Sequence, residues 1–359
     1  MNTESIPLER FGWSPTFAER FLPFAAEGLE PGRIARDHQH IYRVYTSRGD
    51  VLARVAGRLR HQAAGGVEYP AVGDWVALKP VDRERRAVIQ AIVPRTTSVT
   101  RKVAGDTTAA QVVAANIDTI FLTQGLDRDF NLRRIERYLL LASESGASPV
   151  VVLNKADLCD DLAARVSEVQ QVAPGVPVHV TSAMRREGFE AIAAYLQPGR
   201  TVALLGSSGV GKSTLINRLL GADLLPTREV RAADSRGRHT TTNRELILLP
   251  SGALVIDTPG LREIQLWEVA GSIEGAFPEI EALAVECHFR DCRHETEPRC
   301  AVRAAAADGR VALGRLENYL KLRRESDYLA ERQDQAAQAA RRQRWKIIHK
   351  AARNFTPRG

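Results

Sequence analysis

Residues 206–214 read Gly206-Ser207-Ser208-Gly209-Val210-Gly211-Lys212-Ser213-Thr214, between the apolar run TVALL (201–205) and the segment STLINRLL (213–220). The pattern G-x-x-x-x-G-K-[ST], closing a strand and opening a helix, is a P-loop. Its glycines let the backbone wrap a phosphate chain with N–H groups pointing inward. Lys212 is placed to reach the β- and γ-phosphates, and Ser213 to ligate Mg²⁺. The helix N-terminus, with Thr214 in its first turn, adds partial positive charge. A chance glycine-rich turn would not carry both the strand and the helix.

The P-loop alone does not select a base. Upstream, strand-like SPVVVL (148–153) runs into Asn154-Lys155-Ala156-Asp157. Side chains there emerge at the carboxyl end of a parallel strand, where ligands bind in such folds. The Asp157 carboxylate can accept from both N1–H and the exocyclic amine of guanine, whereas adenine offers neither donor. Against adenine the carboxylate is left unpaired, a discrimination of roughly 2–5 kcal/mol. Asn154 either holds the loop or contacts the base's acceptor edge. Thr181-Ser182-Ala183, after VPVHV (176–180), suits a loop closing on the purine through backbone N–H groups. Asp257, after ALVI (253–256), is a Walker-B-like carboxylate holding Mg²⁺ through water, with Gly260 of the same D-T-P-G motif sensing the γ-phosphate. Between P-loop and D-T-P-G lies Arg236-Gly237-Arg238-His239-Thr240-Thr241-Thr242, where a switch loop supplies a hydroxyl to Mg²⁺ and γ-phosphate. Thr241 is favoured, with Thr240 next.

The order of these motifs is unusual. An ordinary small GTPase runs P-loop, switch threonine, D-x-x-G, N-K-x-D, S-A. Here N-K-x-D (154) and T-S-A (181) precede the P-loop (206), the threonines (240) and D-T-P-G (257). That is a circular permutation, tolerable because domain termini commonly lie close together at the surface. It puts D-T-P-G near the end of its domain, so that 261–286 lead from a γ-phosphate-sensitive loop into whatever follows. Leu261 stands where Ras-like enzymes carry a water-orienting glutamine, and an aliphatic side chain cannot polarise water. Slow intrinsic hydrolysis with acceleration by a partner is expected. His239 is the nearest substitute for the glutamine; the competing reading is a histidine that packs or contacts the partner.

Outward from this core, 99–268 alternates strands and helices as a parallel α/β domain does. Examples are 118–124 (strand), 130–145 (helix ended by Gly146) and 160–172 (helix). Residues 38–98 hold short alternating strands with turn residues between them, suiting a small OB-like β-barrel. Residues 1–37, with Pro7, Pro15, Pro23 and Pro31, read as an irregular extension. Residues 269–359 hold no clear strand and two helical stretches, about 301–323 and 327–354. The chain has four cysteines. Cys159 reads as structural. Cys287-x₄-Cys292-x-His294-x₅-Cys300 is a Cys₃His set, which in a reducing compartment points to one closed, structural Zn²⁺ rather than to disulfides. His288 is a rival ligand, awkward beside Cys287; three reduced, buried cysteines are the alternative to a metal.

The 359 residues carry a net charge of +7. Arg341–Gly359 alone holds seven Lys/Arg and no Asp/Glu. A polyanionic partner, RNA above all, fits that tail, as does a solvated helix end. Trp345 among those cations either stacks on a base or packs on the domain. No apolar run reaches membrane-spanning length and no secretory signal opens the chain, so a cytoplasmic protein with no membrane partner is expected.

Together the N-K-A-D, T-S-A, GSSGVGKST, GRHTTT and D-T-P-G motifs in permuted order, followed by the Cys-x₄-Cys-x-His-x₅-Cys module, resemble the RsgA (YjeQ) family of bacterial GTPases that depend on the small ribosomal subunit. The resemblance implies an OB-fold, a permuted GTPase domain stimulated by the 30S subunit and a mostly helical zinc-binding domain. It also implies GTP/GDP as ligands, a late role in small-subunit maturation, and 16S rRNA contacts from the flanking domains. The family's proposed catalytic histidine maps onto His239. A monomer is the working expectation. A GTP-sensing RNA-binding module with negligible turnover is the alternative within this scheme. A P-loop phosphotransferase would need neither Asp157 nor the metal module.

Overall fold

The computed structural model describes residues 5–38, 40–62, 66–81, 85–102, 110–222, 244–257, 276–328 and 331. It divides into two compact units, Met1–Arg101 with Ala110–Gln265, and Lys102–Ala109 with Leu266–Gly359.

In the first unit the leader is ordered. A 3-10 turn at Leu8–Phe11 precedes α1 (Pro15–Ala26), whose N-cap Ser14 accepts from the Phe17 N–H at 3.4 Å. The reading of 1–37 as irregular is therefore corrected. Pro15 sits at the first helical position, where its missing N–H costs nothing. Pro31 lies in β1 (Glu30–His38), opposite Ala77. Trp13, Phe17 and Phe21 pack round buried Trp75, so aromatic burial fixes what the prolines appear to break.

After β1 come β2 (Ile41–Thr46), β3 (Gly49–Val55), α2 (Gly57–Gln62), β4 (Trp75–Val81) and β5 (Arg86–Ile92). They pair in the order β1-β2-β3-β5-β4, and β4 closes on β1. Only the β3–β5 pair is parallel. This is the expected OB-like barrel, filled by Ile34, Tyr42, Val44, Val76, Leu78 and Ile89. β6 (Ser98–Lys102) and β7 (Ala110–Ala115) form a separate two-stranded ribbon.

The α/β part follows as β8 (Thr119–Gly125), α3 (Leu132–Ser145), β9 (Ser148–Asn154), α4 (Leu162–Val172), β10 (Val178–Val180), α5 (Phe189–Ala193), β11 (Thr201–Leu205), α6 (Lys212–Leu220), β12 (Glu245–Leu248) and β13 (Leu254–Asp257). Asn131 and Asp161 cap α3 and α4, and Gly146 ends α3, in the left-handed conformation, where the sequence predicts its end. The strand order is β10-β9-β8-β11-β13-β12, parallel except for β12. Phe121, Val150, Val152, Val202, Leu204 and Val255 point from the sheet onto Leu215 and Ile216 of α6.

Barrel and α/β sheet are one continuous surface. β1 pairs with β12 at Arg36↔Glu245, making an eleven-stranded sheet. Beside this seam Arg33 is 1% exposed. It donates to the carbonyl oxygens of Phe11, Gly73 (3.2 Å) and Asn116 (3.0 Å) and to Thr201 Oγ1 (2.9 Å). One guanidinium thus ties leader, barrel, linker and the strand that carries the P-loop. Burial lowers its pKa to about 10, against the pull of the Asp118 and Asp74 charges.

In the second unit α7 (Pro278–Ala284) and α8 (Ala301–Ala307) are followed by α9 over 313–328. The helix predicted over 301–323 is broken at 308–312, where Gly309 takes φ +83°. Alanine-rich propensity is overridden there by a turn that tucks Val311 into the core and returns its N–H to Ala305 O at 3.1 Å. No strand occurs over 276–328, and no described helix is long and apolar enough to cross a membrane. Nearly all of the helix predicted at 327–354, with Trp345 and the basic tail, lies outside the described residues.

Candidate functional site

Three loops leave the carboxyl ends of parallel strands in the first unit. The P-loop follows β11, Asn154–Asp157 follows β9, and Thr181–Ala183 follows β10. In the chain they are widely spaced; in the fold Asn154 joins them. It is 1% exposed. Its Nδ2 donates to Val210 O of the P-loop at 2.8 Å, and its Oδ1 accepts from Ala183 N (3.1 Å) and Thr181 Oγ1 (3.3 Å). Of the two roles the sequence leaves open, this geometry engages Asn154 in holding loops together. The P-loop can come so close because Gly211 (φ +96°) has no side chain; a Cβ there would stand 2.4 Å from Asn154 Nδ2.

Asp157 is half-buried, and its Oδ1 accepts from Ser182 Oγ, which in turn accepts from Arg185 N at 3.1 Å. The hydroxyl thereby fixes one carboxylate oxygen and the direction of the other. Ala156 N donates to Thr181 O at 3.1 Å, and Arg218 Nε of α6 reaches Ala183 O at 3.1 Å. Lys155 stands at φ +64° with its ammonium on Asp127.

At the phosphate end, Lys212 Nζ donates to Gly206 O (2.7 Å) and Ser207 O (2.8 Å), so the ammonium arches over the loop. Ser213 and Thr214 occupy the next positions of α6, in the first turn of a helix, where the macrodipole favours an anion. Asp257 closes β13, in register with Leu204 of β11 and 4% exposed. Burial raises its pKa; Lys212 opposes this and Glu245, opposite in the β12–β13 ladder, adds to it. A divalent cation would relieve that cost, so a buried carboxylate beside a lysine and a P-loop serine suits Mg²⁺. Gly260, His239, Thr240, Thr241, Thr242 and Leu261 lie outside the described residues.

Sequence reasoning passed over the loop after β8. Asp129 accepts from Ser207 Oγ at 2.6 Å and pairs with both terminal nitrogens of Arg134 (2.6 and 3.0 Å). Partial burial works to raise its pKa, but Arg134 and Ser207 hold the carboxyl below the usual range. The available signal was position: Asp127 and Asp129 follow a buried strand beside β11, at the sheet edge where ligands gather.

In the second unit Cys287, Cys292, His294 and Cys300 converge, their ligand atoms within 4.8 Å of one another. Cys287 Sγ lies 3.8 Å from Cys300 Sγ and 3.6 Å from His294 Nδ1, and His294 Nδ1 lies 3.3 Å from Cys300 Sγ. A tetrahedron with Zn–S of about 2.3 Å has S···S edges of about 3.8 Å, so the donors fit zinc. The turn is strained to achieve it: His294 and Arg299 have φ +61° and +56°. Cys300 also caps α8, its Sγ accepting from Arg303 N at 3.4 Å. His288 is not in the cluster.

These arrangements agree with the comparisons to known proteins. The sequence profile of the RsgA GTPase family matches residues 92–267. The small ribosomal subunit biogenesis GTPase RsgA of Opitutus terrae is 51% identical over 357 residues, 97% of each chain. The crystal structure of YjeQ from Thermotoga maritima superposes with a TM-score of 0.61 at 29% identity, over 83% of this chain and 98% of that one. The crystal structure of YloQ, a circularly permuted GTPase, gives a TM-score of 0.57 at 24% identity, over 86% and 96%, a likeness of fold. The similarity to named RsgA proteins runs along almost the whole length of the chain, and the chain belongs to the RsgA GTPase family.

Proposed function

We propose that this chain binds GTP with Mg²⁺ and hydrolyses it to GDP and phosphate in the biogenesis of the small ribosomal subunit, with the 30S particle as activator. The observation that carries the reading is the convergence on Asn154 of a base loop, a closing loop and a P-loop that the chain visits in permuted order. The full-length similarity to a small ribosomal subunit biogenesis GTPase supplies the partner. In this reading Asp157 takes guanine N1–H and the exocyclic amine, with Lys155 and Ala156 shaping the loop. The N–H groups of Thr181, Ser182 and Ala183 close on the purine. The N–H groups of 206–214 line the phosphates, Lys212 neutralises developing charge, and Ser213, Thr241 and Asp257 would hold Mg²⁺, which would supply further positive charge to the phosphates. Gly260 senses the γ-phosphate, and His239 orients water once the ribosome completes the site. Cys287, Cys292, His294 and Cys300 hold one structural zinc. Contacts to 16S rRNA come from the barrel and the basic end, and the protein acts as a cytoplasmic monomer late in maturation. The domains divide as an N-terminal extension (1–37), barrel (38–98), GTPase (99–268) and zinc module (269–359).

Phosphate release from GTP should rise at least about tenfold on adding purified small subunits, and release from ATP should not. In His239→Ala the basal rate should persist while the stimulated rate falls. Absence of stimulation would leave the GTP-sensing alternative standing. Full stimulated turnover in His239→Ala would remove that residue from the chemistry.

A further inference from the structure

One short loop grips both ends of the nucleotide site. Asp127 accepts from the ammonium of Lys155, two residues before Asp157. Two positions on, Asp129 Oδ2 accepts from Ser207 Oγ of the P-loop at 2.6 Å. Arg134, in the first turn of α3, completes the second grip. Its NH1 donates to Asp129 Oδ2 (2.6 Å) and Ser207 Oγ (3.0 Å), and its NH2 donates to Asp129 Oδ1 (3.0 Å). The Ser207 hydroxyl therefore both donates and accepts, which fixes its rotamer. The two aspartates are themselves linked: the Asp129 backbone N–H donates to Asp127 Oδ1 at 3.1 Å. Behind them the buried Gln124 side chain donates to Asp129 O at 2.7 Å, and Leu126 N donates to Asn154 O at 2.8 Å.

A ligand that touches two loops binds at full strength only when their separation is already set, since any freedom between them must be frozen on binding. Asn154 joins the loops at their buried ends; nothing about it fixes their outer ends. We propose that Asp127-Arg128-Asp129, with Arg134, is a clasp that sets the spacing between the base-reading and phosphate-holding loops, so that Asp127, Asp129 and Arg134 are positioning residues for guanine-nucleotide binding. This rests on the guanine-nucleotide reading of the site. The clasp touches neither base nor phosphate. Its removal loosens the site without deleting a contact, and it acts on affinity rather than on the chemical step.

The test is a fluorescent-GDP titration of the full-length protein, with GTP turnover at saturating substrate, in Asp127→Asn, Asp129→Asn, Arg134→Lys, Ser207→Ala and the double variant Asp129→Asn/Ser207→Ala. Each single change should weaken GDP binding by about 3–10-fold, in keeping with partly exposed, networked ion pairs; kcat should stay within about twofold of the parent in Asp127→Asn, Asp129→Asn and Arg134→Lys, the three changes that lie outside the P-loop. Arg134→Lys, which keeps the charge but loses the fork, should weaken binding as well. The double variant should bind no more weakly than the worse single, because both remove the same link. Melting temperatures without nucleotide report whether any variant is merely unfolded, and Asp127→Asn tests the other arm independently of Ser207. Parent-like GDP affinity in the single variants, or losses that multiply in the double, would overturn the clasp. A parent protein with no preference for GDP over ADP would instead remove the reading on which it rests.

Discussion

Lys212→Ala is expected to raise the GDP dissociation constant at least about 100-fold and to take GTP hydrolysis below detection, with the melting temperature unchanged within about 2 °C. The ammonium is positioned before any ligand arrives: Gly206 O and Ser207 O hold it at 2.7 and 2.8 Å over the loop. A phosphate placed on the loop would lose its one point charge from α6 and keep only N–H dipoles. Truncating one partner of such a desolvated pair costs about 2–5 kcal/mol, and 2.8 kcal/mol is about 100-fold. The same lysine lowers the pKa of Asp257, which burial raises. Its loss should therefore shift the Asp257 carboxyl further toward its neutral form and weaken Mg²⁺ retention at neutral pH. Fluorescent-GDP titration across a Mg²⁺ series measures both. Near-parental affinity would mean that the phosphates do not lie on this loop.

Removal of zinc is expected to unfold the second unit and leave the first intact. Residues 276–328 form a short segment whose core of Phe277, Ile280, Val302, Val311, Leu316 and Leu322 is joined by the buried Cys292, Cys300 and His294, with the Tyr319 ring 6.2 Å from that of His294. Without the ion, His294 and Arg299 have no reason to hold left-handed conformations, which disfavour L side chains. Zinc sites of this class bind with about 10–16 kcal/mol at neutral pH, more than the stability of a typical domain. Cys300→Ser combines two losses, since the thiol also caps α8. Hydrogen exchange after zinc chelation with Mg²⁺ in excess should show full loss of protection across 276–328. Peptides covering β8, β9 and β11 should keep theirs. Retained protection in both regions after verified metal removal would make the cluster a set of reduced, packed cysteines.

Much of the nucleotide site is legible in the sequence because each loop carries its own chemistry in a short window. Lys212, Asp157 and Asp257 stand out by motif, and each motif follows a strand of the sheet. The metal ligands are legible for the same reason: four donors within fourteen residues can meet without long-range help. What was not legible depends on elements far apart in the chain. The role of Asn154 needs Val210 and Ala183 beside it, and neither neighbour is implied by the N-K-x-D pattern. The β1–β12 seam joins residues 36 and 245, and an exposed edge in sequence looks the same whether or not a distant strand covers it. Arg33 carries no local signal in the sequence; it is buried against partners far along the chain, Gly73, Asn116 and Thr201. The leader was misread because four prolines dominate its local signal, whereas its order comes from aromatic packing on Trp75.

The most direct measurement is the base preference of Asp157→Asn, read by competition of GTP and XTP against a fluorescent guanine nucleotide on the parent and the variant. Guanine presents two donors to the carboxylate. Xanthine keeps N1–H but carries an acceptor oxygen at C2, which an amide N–H can meet and a carboxylate repels. GTP should lose at least about 100-fold on the variant, while XTP should become the tighter ligand. A variant that binds GTP as the parent does, or that gains nothing for XTP, would place the purine somewhere other than against Asp157.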